Sequence, residues 1–232
     1  MKGLVCGAVI VAAGKGRRMG TKVSKQFLPL RGKEILAHTV ECFEASEDVD
    51  EIVLVTGEES LGDVEEMKRE YGWKKITAIT AGGKERQDSV RNGLEKLSPK
   101  TEIVLIHDGV RPFVTKTMIR ESAREAKKMG ACIIGVPAKD TIKVCSAEGI
   151  ALNTPDRSTL WQIQTPQTFR KDLILSAYEQ AEREGFRGTD DASLAEHSGF
   201  AVKVIMGSYR NIKITTKEDL IMAEAFLEEE EE

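Results

Sequence analysis

Val5-Cys6-Gly7-Ala8-Val9-Ile10-Val11-Ala12-Ala13-Gly14-Lys15-Gly16-Arg17-Arg18-Met19-Gly20 is the stretch whose reading decides the fold. Val5–Ala13 is apolar without interruption, which marks a β-strand covered on both faces, since a half-exposed strand would alternate. The near absence of a charged leader before it, and the glycine-rich basic loop after it, argue against a signal peptide. In that loop glycines let backbone N–H groups approach a phosphate chain, and consecutive amides form an anion-binding concavity. The loop lacks the Gly-Lys-Ser/Thr ending of a Walker A element, and Met19 occupies the third glycine position of G-x-G-x-x-G. Gly14, Gly16 and Gly20 approximate a looser dinucleotide pattern. The bland reading is a tight turn with a solvated basic flank.

Outward from this stretch, short apolar runs alternate with amphipathic ones. Strands are predicted at Val5–Ala13, Ile52–Thr56, Ile76–Thr80, Ile103–His107 and Cys132–Pro137. Helices are predicted at Ile35–Ala45, Leu61–Glu70, Gln87–Leu97 and Thr117–Met129. This is the pattern of an α/β protein, a mostly parallel Rossmann-like sheet flanked by helices. Lys139–Gln164 breaks it: polar turns at Ala147–Gly149 and Thr154–Ser158 interrupt extended residues, and no helix intervenes. We read this segment as a protruding β-arm. The alternation then resumes with helices at Lys171–Glu184 and Asp191–Ser198, a strand at Ala201–Ile205 and a helix at Lys217–Leu227. The run Glu228–Glu232 is expected to fray. Nothing resembles a linker, so residues 1–232 are expected to form one domain with an arm at about 139–164.

With 232 residues, 41% hydrophobic and 31% charged, the chain can bury a core and solvate its surface. A net charge of −4 gives no general pull toward nucleic acid or an anionic membrane, and no apolar run is long enough to cross a bilayer. Cys6, Cys42, Cys132 and Cys145 have neither zinc-ligand spacing nor a need for disulfide staples, which suits a cytoplasmic protein. Basic residues matter where they cluster, at Arg17, Arg18, Lys22 and Lys25. Arg18 and Lys25 bracket the glycine loop and are placed to neutralise a triphosphate, one as a planar fork and one as a point charge. The strongest rival is a nicotinamide-dependent dehydrogenase, which the loose glycine pattern and the Tyr71/Lys75 spacing favour. Gly72 and Trp73 between that pair look like a helix ending, which disfavours it. A non-catalytic nucleotide sensor is a third reading.

Seven segments in order carry a more specific signal: Ala12–Gly20 with Lys25-Gln26, Gly82–Val90, His107–Pro112, Lys139–Lys143, Gln164–Gln167, Thr189–Ala192 and Asn211–Thr215. Together they resemble the 2-C-methyl-D-erythritol 4-phosphate cytidylyltransferases along nearly the whole chain. The ribitol 5-phosphate cytidylyltransferases share most of these motifs, and Glu85-Arg86-Gln87-Asp88-Ser89 favours the methylerythritol enzymes. Departures are Ser24 where proline is frequent, Lys84 where some members carry Asp, and Gly109 where others have Ala.

The resemblance implies a homodimer joined through the β-arm, with CTP and a polyol phosphate as substrates. It assigns Arg18, Lys25 and Lys213 to the reacting phosphates, and Asp108 to a magnesium ion (Mg2+). Ala12, Ala13, Gly14, Gly16, Gly83, Ser89 and Gly109 would surround the nucleoside. Thr141 and Arg157 on the arm would bind the polyol phosphate, with Thr165, Thr189 and Asp190 nearby and Arg111 bracing the loop. His107 is expected to be structural. No Ser–His pair or catalytic cysteine is expected, because a phosphate nucleophile needs no strong base.

Overall fold

The computed structural model describes residues 4–14 and 24–231. Strand β1 (Cys6–Ala12) leads to a 3-10 turn at Lys25–Phe27 and a small antiparallel hairpin of β2 (Pro29–Leu30) and β3 (Lys33–Glu34). The chain continues through α1 (Ile35–Glu44), β4 (Glu51–Thr56), α2 (Leu61–Glu70), β5 (Ile76–Ala81), α3 (Arg86–Leu94), β6 (Ile103–Asp108), α4 (Lys116–Met129) and β7 (Ala131–Pro137). An excursion carries β8 (Val144–Cys145) and β9 (Ala151–Asn153). There follow β10 (Trp161–Arg170), α5 (Lys171–Glu184), α6 (Asp191–His197), β11 (Lys203–Met206) and α7 (Lys217–Glu231).

Seven strands form one sheet in the order β11-β7-β10-β6-β1-β4-β5. Every pairing is parallel except those of β10, which runs antiparallel between β6 and β7. The continuous apolar runs are explained by burial on both sides. Ile10, Leu54, Leu105 and Ile134 meet α1, α2 and α4 on one face. Val9, Val53, Val104 and Ile133 meet α3, α5 and α6 on the other. The period-2 alternation therefore sorts side chains between two cores. A third cluster seats α7 against Leu30, Ile35, Val110 and Ile214.

Two expectations are corrected. The arm is shorter than 139–164, because Trp161, Gln162 and Ile163 already pair with Pro137, Val136 and Gly135 of β7 in the main sheet. The acidic end does not fray at Glu228: α7 runs to Glu231, with Glu228 and Glu229 held by Arg31 and Arg210. All four cysteines are free thiols, and Cys6 and Cys132 are buried as core residues.

Helix α3 reaches the sheet through Gly93. A Cβ there would overlap Val9 and stand 2.8 Å from Val55 Cγ2, and β-branched neighbours in a full core cannot turn away. Gly93→Ala is therefore expected to lower stability by about 1–3 kcal/mol from overpacking, despite the better helix propensity of alanine. Urea unfolding measures it, and an unchanged or raised midpoint would show that α3 can lift off the sheet at little cost.

Candidate active site

A cleft of about 640 Å³ opens at the carboxyl ends of β1 and β6. Strand β1 pairs β4 on one side and β6 on the other, so the crevice lies where the strand order reverses, the place such sheets bind ligands. Ala12, Ala13, Gly14, Gly83 and Ser89 line it as expected, together with Lys25, Lys213 and Asp108. Arg18 and Gly16 lie outside the described residues.

The wall on the α3 side is built by close approach. A Cβ on Gly82 would stand 2.8 Å from Ser89 Oγ, so this turn requires glycine. Ser89 is buried, accepts from the Gly83 N–H at 3.0 Å and donates to the Glu85 carbonyl at 3.0 Å. The same side chain thus closes the turn and back-bonds its own helix. On the opposite side Gln26 donates to the Ala12 carbonyl at 2.7 Å and fastens the Lys25 turn to the end of β1.

Asp108 ends β6, and its side chain is 10% exposed. Lys213 Nζ stands 2.8 Å from Oδ2, Arg86 Nε 3.3 Å from Oδ1, and Arg111 Nε 3.7 Å from Oδ2. Burial alone would raise its pKa. The charges of Arg86, Lys213 and Arg111 outweigh burial and hold the carboxyl far below the usual carboxylate range. His107 is structural, as expected. Its Nε2 lies 3.1 Å from the Arg111 carbonyl, which can only accept, so Nε2 carries the proton. Nδ1 then accepts from Thr165 Oγ1 at 3.0 Å, and burial pushes the His107 pKa down to about 4.

Several of the expected site residues have partners within the protein. Thr165 is buried, and its hydroxyl accepts the Asp108 N–H at 3.1 Å. Arg111 stands behind Asp108 and donates to the Asn211 carbonyl at 2.7 Å, which steadies the Lys213 segment. Asp190 caps α6 through the Ser193 N–H at 2.9 Å and accepts from Gln167 Nε2 at 2.7 Å. Gly109 packs its Cα toward Ala12 and Leu36 and does not line the cleft. Thr189 is exposed before α6. Thr141 and Arg157 lie exposed on the arm, with Arg157 donating to the Lys139 carbonyl at 3.0 Å, and neither lines this cleft.

Arg86 is the residue that sequence reasoning left without a role. It reaches Asp108 and also places Nη2 2.8 Å from Asp191 Oδ2. Asp191 is 1% exposed and accepts the Tyr178 hydroxyl at 2.6 Å. The only local signal was a cation beginning a helix inside a motif; its partners are too distant in sequence for spacing to reveal. The donor set suits magnesium in one way. Among the described residues no three His, Cys, Asp or Glu side chains gather to hold a metal. Mg2+ commonly takes one or two carboxylates and completes its shell with phosphates and water, which Asp108 on the cleft wall allows.

The comparisons with known proteins agree with the fold. The family model for 2-C-methyl-D-erythritol 4-phosphate cytidylyltransferase matches residues 6–229. The chain belongs to this family. It is 51% identical to the cytidylyltransferase of that name from Alkaliphilus oremlandii, over 94% of this chain and 93% of that protein. It is also 51% identical to the one from Clostridioides difficile, over 94% and 92%. The 4-diphosphocytidyl-2C-methyl-D-erythritol synthase structure from Anaerococcus prevotii superposes with a TM-score of 0.86 at 34% identity, covering 98% of this chain and 100% of that one. The dehydrogenase alternative falls with the family and with its own residues: Tyr71 donates to Glu34 at 2.6 Å and Lys75 to the Ser46 carbonyl at 2.5 Å.

Removing Arg86 would leave two buried carboxylates short of a counter-charge. Arg86→Ala is expected to cost about 3 kcal/mol in urea unfolding, and Arg86→Lys to recover only part, since an ammonium lacks the fork that spans both partners. A wild-type midpoint in Arg86→Ala would show that Asp191 needs no cation.

Proposed function

We propose that the chain transfers CMP from CTP to 2-C-methyl-D-erythritol 4-phosphate, giving 4-diphosphocytidyl-2-C-methyl-D-erythritol and pyrophosphate, in non-mevalonate isoprenoid precursor biosynthesis in the cytoplasm. The observation that carries this reading is the convergence of Lys25, Arg86 and Lys213 on a glycine-walled cleft around one carboxylate, Asp108. Two polyanions must be brought together, so neutralisation and alignment are the main requirements.

A phosphate oxygen of the polyol attacks the α-phosphorus of CTP in line. The new P–O bond forms as the bond to the bridging oxygen breaks, and that electron pair leaves on pyrophosphate. The second pKa of a phosphate monoester is about 6, so the nucleophile needs no base. Lys25 and Lys213 compensate charge at the α-phosphorus, and Arg18 is assigned the same task. Ala12, Ala13, Gly14, Gly83 and Ser89 offer a small backbone-lined pocket for cytosine and ribose that excludes a purine. A Mg2+ ion held by Asp108 would add positive charge against the triphosphate.

The arm supports a homodimer. Ile142, Val144, Ile150 and Leu152 are exposed along it, with too little apolar neighbourhood for a core of their own. Pairing with the same segment of a second copy would cover them and carry Thr141 and Arg157 toward the partner's cleft. The chain then works as one nucleotidyltransferase domain whose arm completes a second site.

Turnover with CTP is expected to favour methylerythritol phosphate over ribitol 5-phosphate; the reverse preference would reassign the substrate. Lys25→Ala and Lys213→Ala should each lower kcat by about 10²-fold or more with the fold intact. A variant with near-wild-type turnover loses its assignment. Mixing inactive Arg157→Ala and Lys25→Ala subunits is expected to restore activity, because one site in each heterodimer is free of both defects. If subunits exchange and no activity returns, the sites are not shared.

A further inference from the structure

The acidic end of α7 has no part in the chemistry above. A helix C-terminus is the negative end of its dipole, so glutamates there are unfavourable, and like charges one turn apart repel. Glu228 and Glu229 near this end weaken the helix unless cations meet them. Two arginines do. Arg31, in the turn between β2 and β3, places Nη2 2.5 Å from Glu228. Arg210 places Nη1 2.8 Å from Glu229, donates Nη2 to the Phe226 carbonyl at 2.6 Å and lies 4.7 Å over the Phe226 ring.

What these arginines are attached to gives the pairs their meaning. Arg31 belongs to the hairpin that directly follows the Lys25–Phe27 turn, and Arg210 to the irregular segment that carries Lys213. Leu30 beside Arg31 and Ile214 beside Lys213 are both fully buried in the cluster that includes Ala223 of α7. One helix therefore grips two segments that each carry a lysine of the cleft, by an apolar face and by consecutive glutamates. The 207–213 segment has no regular secondary structure, so its lysine is placed by ties to the rest of the protein, these to α7 beside those of Asn211 to Arg111 and Thr165.

We propose that the last turns of α7 are a clasp that sets the relative placement of Lys25 and Lys213 in the cleft, with Arg31, Arg210, Glu228 and Glu229 as positioning residues. This rests on the assignment of both lysines to the transferred phosphate. Both glutamate side chains are 65% exposed, so the pairs add little to global stability. Placement of a charge at a reacting phosphorus is a far more sensitive quantity, since small displacements cost large factors in rate.

The test measures kcat, both KM values and the urea midpoint in Glu228→Gln/Glu229→Gln, Arg210→Glu, Glu229→Arg and the swapped pair Arg210→Glu/Glu229→Arg. The double glutamine variant is expected to lose about 5- to 10-fold in kcat, with KM within about twofold and the midpoint almost unmoved. The swapped pair should turn over about threefold or more faster than either single reversal, because exchanging the charges restores the ion pair. Wild-type kcat in the double glutamine variant overturns the clasp, as does a swap no better than its parents. If Lys25→Ala and Lys213→Ala themselves retain turnover, the underlying assignment fails instead.

Discussion

The structure depends on burying one negative charge. Asp108 sits at the end of a strand whose other residues are fully within the core, and an uncompensated carboxylate there would cost several kcal/mol. Its three cations come from different places: Arg86 from the start of α3, Arg111 from the loop after β6, and Lys213 from the segment before α7. Each must arrive within a few ångströms of the same two oxygens. The carboxylate thereby fixes where three chain segments meet, and the meeting leaves a cleft with more positive than negative charge. A site for polyanions follows from satisfying a single buried anion generously.

The antiparallel strand makes this possible. In a wholly parallel sheet the neighbour of β6 would point the same way and end at the same rim. Strand β10 instead crosses that rim at its start, bringing Gln164 and Thr165 to the end of β6 with Gln167 paired to Ile106 just behind them. Thr165 takes the Asp108 N–H, and its carbonyl accepts from Asn211 at 3.0 Å. Gln167 spans Asp190 and the Ala192 N–H, which holds the start of α6 and with it Asp191, the second partner of Arg86. One strand of polar residues thus braces both ends of the cation network.

That strand is also where the sequence was hardest to read. Helices α2 and α5 match their expected bounds to the residue, because their apolar spacing is set locally by the sheet they cover. Strands β1, β4 and β6 were legible as continuous apolar runs. The run Gln164–Thr168 is buried yet polar, so neither alternation nor hydrophobicity marks it as a central strand. The same holds for the site. Glycine turns and the strand-end aspartate are local signals and were found. The role of Arg86 and the internal partners of Thr165 and Asp190 depend on residues far along the chain, which spacing does not encode. The acidic tail misled in the opposite sense, since a charge run looks solvated until the arginines that meet it are placed.

Their other partners divide the cations around Asp108 by what they are able to do. The Arg111 side chain is 11% exposed and bonded to the Asn211 carbonyl, so turning it toward a ligand would break that hydrogen bond and the ion pair with Asp108. Arg86 bridges two carboxylates and is similarly fixed. Lys213 is 37% exposed, and its ammonium rotates on a flexible stem with water available throughout. Leaving Asp108 for a phosphate costs Lys213 one anion and gains another, while Arg86 and Arg111 continue to neutralise the carboxylate. The two arginines thus make the aspartate tolerable, and their presence leaves the lysine free to turn toward another anion in the cleft.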